Sequence, residues 1–402
     1  MSDPYATPTA VAAAAGAARL LSRRAGSEVE LSEPEDLGGS GNSVVARARM
    51  GQNPFSDRRS VVVKQYFPIT AEPAAGGPAT SDPFRYEVAS CQLFTALPTD
   101  VRPSPAIIAH DPEQRLLVLE DLGRSSTLAD KLFGHDREAA KSCLLGWARG
   151  LGRMQAATAG REGDFGALLR RLGEKVRRDP VADQARAALA GLPELLGTDL
   201  GVAPPELAVL EARAAVRLLG GTGFRAFSPS DTCPDNNLVT SRGVRFVDFE
   251  WGCFRDVVLD AAYARVPFPG CAASFALPAG MGEQMLEAWR IEVAPVWPEL
   301  DDPDLLASRL TDAHVLWVWW STWMLLPRIR HRDGPIGSDA GRSPRISTAL
   351  RHYWRGLAGI AAATGLPGTA ELAGAVVDAL DERFPDAPSE LPLFPAFRTA
   401  GS

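Results

Sequence analysis

The sequence lacks the short motifs that identify several common classes of site. Its five cysteines, at positions 91, 143, 233, 253 and 271, form no C-x-x-C pair, and its five histidines are scattered. A zinc site therefore has no support, and the odd cysteine count favours reduced thiols in a cytoplasmic protein over a disulfide framework. No Gly-Lys-Ser/Thr follows a glycine-rich stretch, which excludes a Walker A loop, and no G-x-S-x-G spacing indicates a nucleophile elbow.

Basic surfaces and long hydrophobic runs are also missing. The formal net charge is −7, so we expect no nucleic-acid partner. The apolar run from Val315 to Leu326 is shorter than the roughly 20 residues that cross a bilayer, which predicts a buried helix and no membrane partner. Asp3 stands where a secretory signal would be basic, and this agrees with a cytoplasmic location. The sequence contains no internal repeat, and it favours no particular oligomeric state.

The most informative stretch runs from residue 228 to residue 250. It reads as a polar loop with Asp231 and Asn236, a short apolar strand, a turn, and a second strand that ends at Asp248 and Glu250. Phosphoryl transfer needs such groups, because a carboxylate must take or orient the acceptor proton and hard oxygen ligands must hold Mg²⁺. The same residues are also typical of an Asx-rich turn between two strands, so the remaining parts must come from elsewhere in the chain.

The pattern Asp-x-x-x-x-Asn, a hairpin, then apolar-apolar-Asp-Phe-Glu resembles the aminoglycoside phosphotransferase and choline-kinase-like family of small-molecule kinases. The resemblance implies an α+β, bilobal, protein-kinase-like fold with a small β-rich N-lobe and a large, mainly helical C-lobe. It implies Asp231 as catalytic base, Asn236 and Asp248 as Mg²⁺ ligands, and Glu250 as a further carboxylate beside the metal. The family usually has His-Gly before the catalytic Asp, whereas this chain has Pro229-Ser230.

Two further stretches extend the resemblance. Asp256 and Asp260 match the family's Gly-Asp-Pro-x-x-Asp-Leu-Ala, where we expect loop bracing and helix capping rather than chemistry. Gln155 stands where the family's Leu-x-x-Leu-His-Ala has its histidine.

Residues 36–47 read as two short strands joined by a glycine-rich turn, which would let backbone N–H groups approach nucleotide phosphates. An ordinary hairpin turn has the same composition. In position the turn resembles the family's first-hairpin loop, and the resemblance implies nucleotide contacts from Gly38, Gly39, Ser40 and Asn42.

Lys64 lies in an apolar run that predicts a buried strand, where an unpaired ammonium would be costly. We interpret it as the lysine that holds the α- and β-phosphates, and Glu87, on a predicted helix, as its partner. The alternatives are an edge-strand lysine whose head reaches solvent and a solvated helix glutamate.

The strand at residues 115–123 resembles the family's fifth strand running into the interlobe hinge, so Glu120 to Leu122 would offer backbone groups to the adenine. The predicted domains are a helical extension (1–28), the N-lobe (29–122), the C-lobe (123–390) and a tail (391–402).

These parts occur in kinase order. The sequence therefore predicts an ATP- or GTP-dependent enzyme, with Mg²⁺ as cofactor, that phosphorylates a hydroxyl of a small molecule. By family prevalence we expect an aminoglycoside-like antibiotic first and a nucleoside or macrolide next. The alternative is a pseudokinase, a nucleotide- or ligand-binding regulatory module, which Pro229-Ser230 keeps open.

Overall fold

The computed structural model describes residues 9–39, 42–52, 57–68, 82–175, 179–339 and 341–398. The chain forms two compact units, each discontinuous in sequence. The first comprises 1–125, 163–176 and 246–252, and the second comprises 126–162, 177–245 and 253–402. The predicted boundaries after residues 28, 122 and 390 remain a prediction.

The described strands of the first unit are β1 (Leu31–Gly38), β2 (Ser43–Met50), β3 (Ser60–Tyr66), β4 (Ile107–Asp111) and β5 (Leu116–Glu120). They form one antiparallel sheet in the order β1-β2-β3-β5-β4. Among the described residues of this unit, the helices are α1 (Ala10–Ala25), α2 (Pro83–Thr95) and most of α5 (Glu162–Arg171).

Helix α1 covers one face of this sheet. Thr9 caps its first turn by accepting a hydrogen bond from the Ala12 N–H, and Gly26 ends it with φ +67°. Ala17 and Leu20 are buried in the same apolar cluster as Val61 and Val63 of β3. The predicted helix at the N-terminus is therefore confirmed, and its small residues let it lie close to the strands.

The second unit is mainly helical. Its helices are α3 (Leu128–Leu132), α4 (Arg137–Thr158), α6 (Pro180–Leu200), α7 (Glu206–Ala214), α8 (Val257–Ala261), α9 (Met281–Val293), α10 (Pro303–Leu325), α11 (Ile346–Thr364) and α12 (Pro367–Arg383). Its short strands are β6 (Ser126–Thr127), β7 (Arg225–Ser228), β8 (Asn237–Thr240), β9 (Gly243–Phe246) and β10 (Cys253–Asp256). Strand β7 pairs with β10, and β6, β8 and β9 form a small sheet. The sheet-rich first unit and the helical second unit confirm the predicted α+β class.

Helix α10 carries the apolar run singled out in the sequence. Asp302 caps its N-terminus, and Trp317 and Trp319 are buried in the helical unit. The prediction of a buried core helix is confirmed. Among the described helices, none combines the length and apolarity that a membrane crossing needs.

The expectation that the cysteines are reduced thiols is wrong for one pair. Cys233 and Cys271 form a disulfide across 38 positions of sequence, while Cys91, Cys143 and Cys253 are free. An odd count of five is also compatible with one disulfide and three thiols. No short spacing marks the pair in the sequence, because the two cysteines lie on separate loops that the fold brings together. The cysteine argument for a reducing compartment therefore does not hold.

Candidate active site

Strand β3 presents a charged cluster on the face opposite α1. The period of two puts Lys64 and Tyr66 on the same side of the strand. Lys64 Nζ lies 2.7 Å from Glu87 Oε2 of α2 and 2.7 Å from Asp248 Oδ1. Tyr66 Oη also donates a short hydrogen bond to Glu87 Oε2. The lysine and both carboxylates belong to the first unit, and the expected Lys64–Glu87 ion pair is present.

Burial and charge act in opposite directions in this cluster. Burial alone would lower the pKa of Lys64, but the charges of Glu87 and Asp248 raise it well above its usual range. Burial raises the pKa of the Glu87 carboxyl, and the Lys64 ammonium opposes that shift. Burial and the neighbouring Glu87 charge raise the pKa of Tyr66, which stays a neutral donor. The Lys64 ammonium therefore stays protonated at neutral pH.

Asp248 reaches Lys64 from a segment that is fixed on both sides. The Phe246 N–H donates to Pro103 O at 2.9 Å, and the Phe249 ring packs on Phe94 with 5.0 Å between centroids. Asp248 itself adopts φ +66°, a left-handed conformation that costs free energy for most residues and least for Gly, Asn and Asp. Its side chain is 22% exposed, so it remains partly accessible to solvent.

The glycine-rich turn and the carboxylate Glu250 are also in contact. Asn42 Nδ2 donates to Glu250 Oε2 at 3.1 Å. A side chain on Gly39 would collide with Ser43 O, since an added Cβ would lie 2.2 Å from that oxygen, and Gly38 has φ +87°. These two glycines are therefore required by the backbone. Ser40, the remaining predicted residue of this turn, lies outside the described residues.

At the predicted hinge, side chains take up much of the local hydrogen bonding. The Glu120 N–H donates to Ala106 O at 2.8 Å, and its carboxylate accepts from the Ala106 N–H at 3.1 Å. Leu122 O accepts from Ser125 Oγ at 3.4 Å. The intervening Asp121 binds Arg47 of β2, an ion pair that sequence spacing does not reveal. Adenine contacts from Glu120 and Leu122 remain a prediction.

In the second unit, Asp231 lies on a loop that closes on itself. The Cys233 N–H donates to Asp231 Oδ1 at 3.1 Å, which makes an Asx turn. The Asn236 N–H donates to Cys233 O at 2.8 Å, and Asn237 Nδ2 donates to the same oxygen at 2.6 Å. Asp231 and Asn236 are both half-buried, so the loop holds their side chains at the surface of this unit.

Ser230 takes the backbone conformation that a glycine favours. Its φ is +63°, although it occupies the position where the family resemblance has Gly. Its N–H donates to Ser228 Oγ at 3.0 Å, its hydroxyl lies 3.2 Å from Cys253 Sγ, and Tyr263 Oη donates to its carbonyl at 3.3 Å. These contacts hold the loop in its left-handed turn without the family's His-Gly.

A buried polar cluster supports the loop from behind. Asp260 Oδ1 accepts from Ser228 Oγ at 3.0 Å and pairs with Arg255, while its Oδ2 accepts from Gln155 Nε2 at 3.1 Å. Gln155 Oε1 in turn accepts from Trp289 Nε1 at 2.6 Å. Burial raises the pKa of Asp260, and the Arg255 charge opposes it. Gln155, at the position where the resemblance has a histidine, thus ties α4 and α9 to the loop that carries Asp231.

Asp256 has the capping role that the sequence predicted. Its carboxylate accepts from the Val258 N–H at 3.0 Å at the start of α8, and it also binds Thr222 and Arg309. Loop bracing by Asp260 and helix capping by Asp256 are therefore both observed.

Several residues that shape the candidate site were not predicted from the sequence. Tyr66 could have been found, because the strand period places it beside Lys64. Arg47, Arg255 and the Cys233–Cys271 bond carry no local signal, since their partners are distant in sequence.

The predicted metal ligands carry hard oxygen donors. Asn236, Asp248 and Glu250 offer amide and carboxylate oxygens, which are the ligands that Mg²⁺ prefers. The chemistry of these residues therefore fits the expected ion.

No protein-family model and no curated protein matches this chain. Solved structures do match it. A choline/ethanolamine kinase family protein from Mesorhizobium loti is 14% identical, with 86% of this chain and 93% of that chain covered and a TM-score of 0.43. A choline kinase from Cryptosporidium parvum is 10% identical, with 85% and 93% covered and a TM-score of 0.47. A thermostable mutant of the aminoglycoside phosphotransferase APH(4)-Ia is 11% identical, with 91% and 99% covered and a TM-score of 0.43.

Both groups named in the sequence resemblance are represented among these structures. All three TM-scores lie below 0.5 and all three identities lie below 25%.

Proposed function

We propose that this protein transfers the γ-phosphoryl group of ATP or GTP to a hydroxyl of a small molecule. The observation that carries the proposal is the buried Lys64, which binds Glu87 and Asp248 at 2.7 Å each. Burying an ammonium with two carboxylates has a high desolvation cost. Apolar residues of similar size often stabilise a fold at least as much, so fold stability alone does not explain this cluster. Such clusters are retained where a charge must be held in place for binding or catalysis.

In this proposal Lys64 binds the phosphates of the nucleotide. Its ammonium stays protonated at neutral pH, since the two carboxylates raise its pKa. Glu87 fixes the direction of the side chain and is itself fixed by Tyr66. Gly38 and Gly39 would let the backbone of their turn come close to the phosphates. Ser40 and Asn42 of the same turn are also assigned contacts with the nucleotide.

Asn236, Asp248 and Glu250 are assigned as the ligands of Mg²⁺. When bound, the ion supplies positive charge against the phosphate oxygens. Asp248 also keeps its hydrogen bond from Lys64, so one carboxylate would serve both the lysine and the ion.

Asp231 is assigned as the catalytic base. The acceptor oxygen attacks the γ-phosphorus, the bond from that phosphorus to the β–γ bridging oxygen breaks, and the acceptor proton passes to the Asp231 carboxylate. The Asx turn with Cys233 orients this carboxylate, and the left-handed turn at Ser230 sets where it emerges. Positioning of this kind supplies most of the catalysis in phosphoryl transfer.

The acceptor is proposed only as a class. A net charge of −7 favours the approach of cationic molecules, so aminoglycosides and choline-like alcohols come before nucleosides and macrolides in a screen. A second candidate function is a nucleotide-binding pseudokinase, because Pro229-Ser230 replaces the His-Gly of the family resemblance.

Phosphate release from Mg-ATP and Mg-GTP, with and without an acceptor panel, tests the proposal. We expect Asp231→Asn to lower turnover at least about 100-fold while nucleotide affinity is kept. Asp235→Asn is the matched control, since Asp235 is an exposed carboxylate of the same loop, and it should behave as wild type.

The outcomes separate the two candidates. Nucleotide binding without release by the wild type, with every acceptor tried, would support the pseudokinase. Failure to bind either nucleotide would overturn both functions. Equal turnover in wild type and Asp231→Asn would overturn the assignment of the base.

A further inference from the structure

The disulfide of the catalytic loop lies directly beside Asp231. A carboxylate oxygen of Asp231 and the sulfur atoms of Cys233 and Cys271 all lie within 4.8 Å of one another. In the described part of the chain, no other three side chains of metal-binding type come this close together. The Cα atoms of the two cysteines are 5.7 Å apart, which two thiolates can bridge through one ion with Zn–S bonds of about 2.3 Å.

The two sulfur atoms can act as thiolate ligands only when the disulfide is reduced. A thiol or phosphine reductant gives two electrons to the S–S bond, and two protons complete the two thiols. Binding of a soft divalent metal then displaces those two protons to solvent, because thiolate is the coordinating form. Two thiolates and one carboxylate suit Zn²⁺ rather than Mg²⁺, and three protein ligands leave one position for water.

The loop is held in place by contacts that do not involve the disulfide. Asn237 is fully buried and donates to the carbonyls of Thr232 and Cys233 at 3.2 and 2.6 Å. On the other side, the Cys271 N–H donates to Phe268 O at 3.1 Å, and the Phe268 ring is buried. Both cysteines should therefore stay close together after reduction, and a nearly preformed site costs little ordering entropy when an ion binds.

The Asp231 carboxylate can take part without losing its own hydrogen bond. Its Oδ1 accepts from the Cys233 N–H, and an ionised carboxylate has about four lone-pair sites. The turn that orients Asp231 thus also points it toward the two sulfur atoms.

We infer that reduced Cys233 and Cys271, together with Asp231, form a Zn²⁺ site that is closed by the disulfide and opened by reduction. The consequence for activity rests on the proposed function: Zn²⁺ at this site would occupy the catalytic base and inhibit transfer.

Zinc binding by the intact chain tests the site without any assumption about catalysis. The protein is reduced with a phosphine, freed of metal, and titrated with Zn²⁺ against a chromogenic chelator in excess Mg²⁺. We expect one tightly bound Zn²⁺ per reduced chain and none at the same concentrations for the oxidised chain. Co²⁺ in place of Zn²⁺ should give a thiolate-to-metal charge-transfer band in the near ultraviolet.

Substitutions assign the ligands. Cys271→Ser should weaken Zn²⁺ binding at least about 100-fold and Asp231→Asn about 10-fold, whereas Cys143→Ser removes a half-buried thiol elsewhere and should change nothing. Because the oxidised and reduced wild type are compared directly, the test stands even if a variant folds poorly.

Three results would overturn the inference: no Zn²⁺ binding by reduced wild type, equal binding by the oxidised form, or full binding by a folded Cys271→Ser. If zinc binds but no phosphoryl transfer is found in any form, the site stands and the proposed function fails. If transfer is found and reduced protein binds no zinc, the proposed function stands alone.

Discussion

Lys64 Nζ donates a hydrogen bond of 2.7 Å to Asp248 Oδ1 across 184 positions of the sequence. The lysine side chain is 8% exposed, and it shares its charge between this carboxylate and that of Glu87. One contact thus joins the central strand β3 to the segment that follows β9, so the lysine proposed to bind phosphate and a proposed metal ligand fix each other.

Loss of the lysine should destabilise the first unit through charges left unpaired. Lys64→Met leaves Glu87 buried without its cation, and we expect a loss of about 3 kcal/mol in the free energy of unfolding. The double variant Lys64→Met/Glu87→Gln should recover at least about 1 kcal/mol, because the buried charge is then removed as well. Urea unfolding of the wild type, Lys64→Met, Glu87→Gln and the double variant measures these values. Simple additivity of the two single variants would show that the pair is not coupled.

Asp248→Asn should separate metal binding from backbone effects. Asn tolerates the left-handed conformation at φ +66° nearly as well as Asp, so the fold should be kept. Loss of the carboxylate charge should weaken nucleotide affinity about 10-fold or more in the presence of Mg²⁺ and much less in its absence. Calorimetric titrations with and without Mg²⁺ decide this. An equal loss under both conditions would contradict the metal-ligand assignment.

Ser230 offers a test of strain in the loop that carries Asp231. Ser230→Gly and Ser230→Ala both remove the hydroxyl contact with Cys253, but only glycine adopts φ +63° at little cost. The glycine variant should therefore be more stable than the alanine variant by about 1 kcal/mol, measured by urea unfolding at fixed redox state. Equal stabilities would indicate that the left-handed turn is lost or carries no cost.

Buried His314 should make the protein sensitive to acid. Burial, with Arg265 and His352 nearby, lowers its pKa from 6.5 to about 3, so the folded chain holds it neutral. Between these values the unfolded chain binds a proton that the folded chain does not, so stability falls as the pH drops from 6.5 toward 3. At about 1.4 kcal/mol per pH unit, the contribution near pH 4 is roughly 3 kcal/mol.

The variant His314→Leu isolates this contribution. Other groups of the protein also titrate in this range, so the relevant quantity is the difference in unfolding free energy between variant and wild type. That difference should shift in favour of the variant as the pH falls from 7 to 4. A difference that stays constant with pH would contradict a lowered pKa at His314.

Much of the candidate site could be predicted because its signals are local. An apolar run around Lys64 predicts a buried strand, and glycines at 38 and 39 predict a turn that side chains would obstruct. Capping by Asp256 follows from its place just before a helix. Each of these features depends on neighbours within a few positions.

The remaining features depend on partners that the fold brings from far along the chain. The expectation of reduced thiols is wrong for Cys233 and Cys271, since no spacing rule connects positions 38 apart in two loops. Arg47 with Asp121 and Arg255 with Asp260 and Asp179 depend equally on packing. The left-handed backbone at Ser230 and Asp248 was also not readable, because residues other than glycine adopt it only where surrounding contacts hold them.

The sequence by itself determined the elements, the order of the polar residues along them and the chemistry those residues can perform. Side-chain periodicity and turn preferences act over a few positions, so they can be read directly from neighbouring residues. Only the tertiary structure decided that Lys64 faces two carboxylates and that a disulfide lies beside Asp231. Charge pairing offsets the cost of burying these groups, and both burial and pairing arise only once distant segments have packed together.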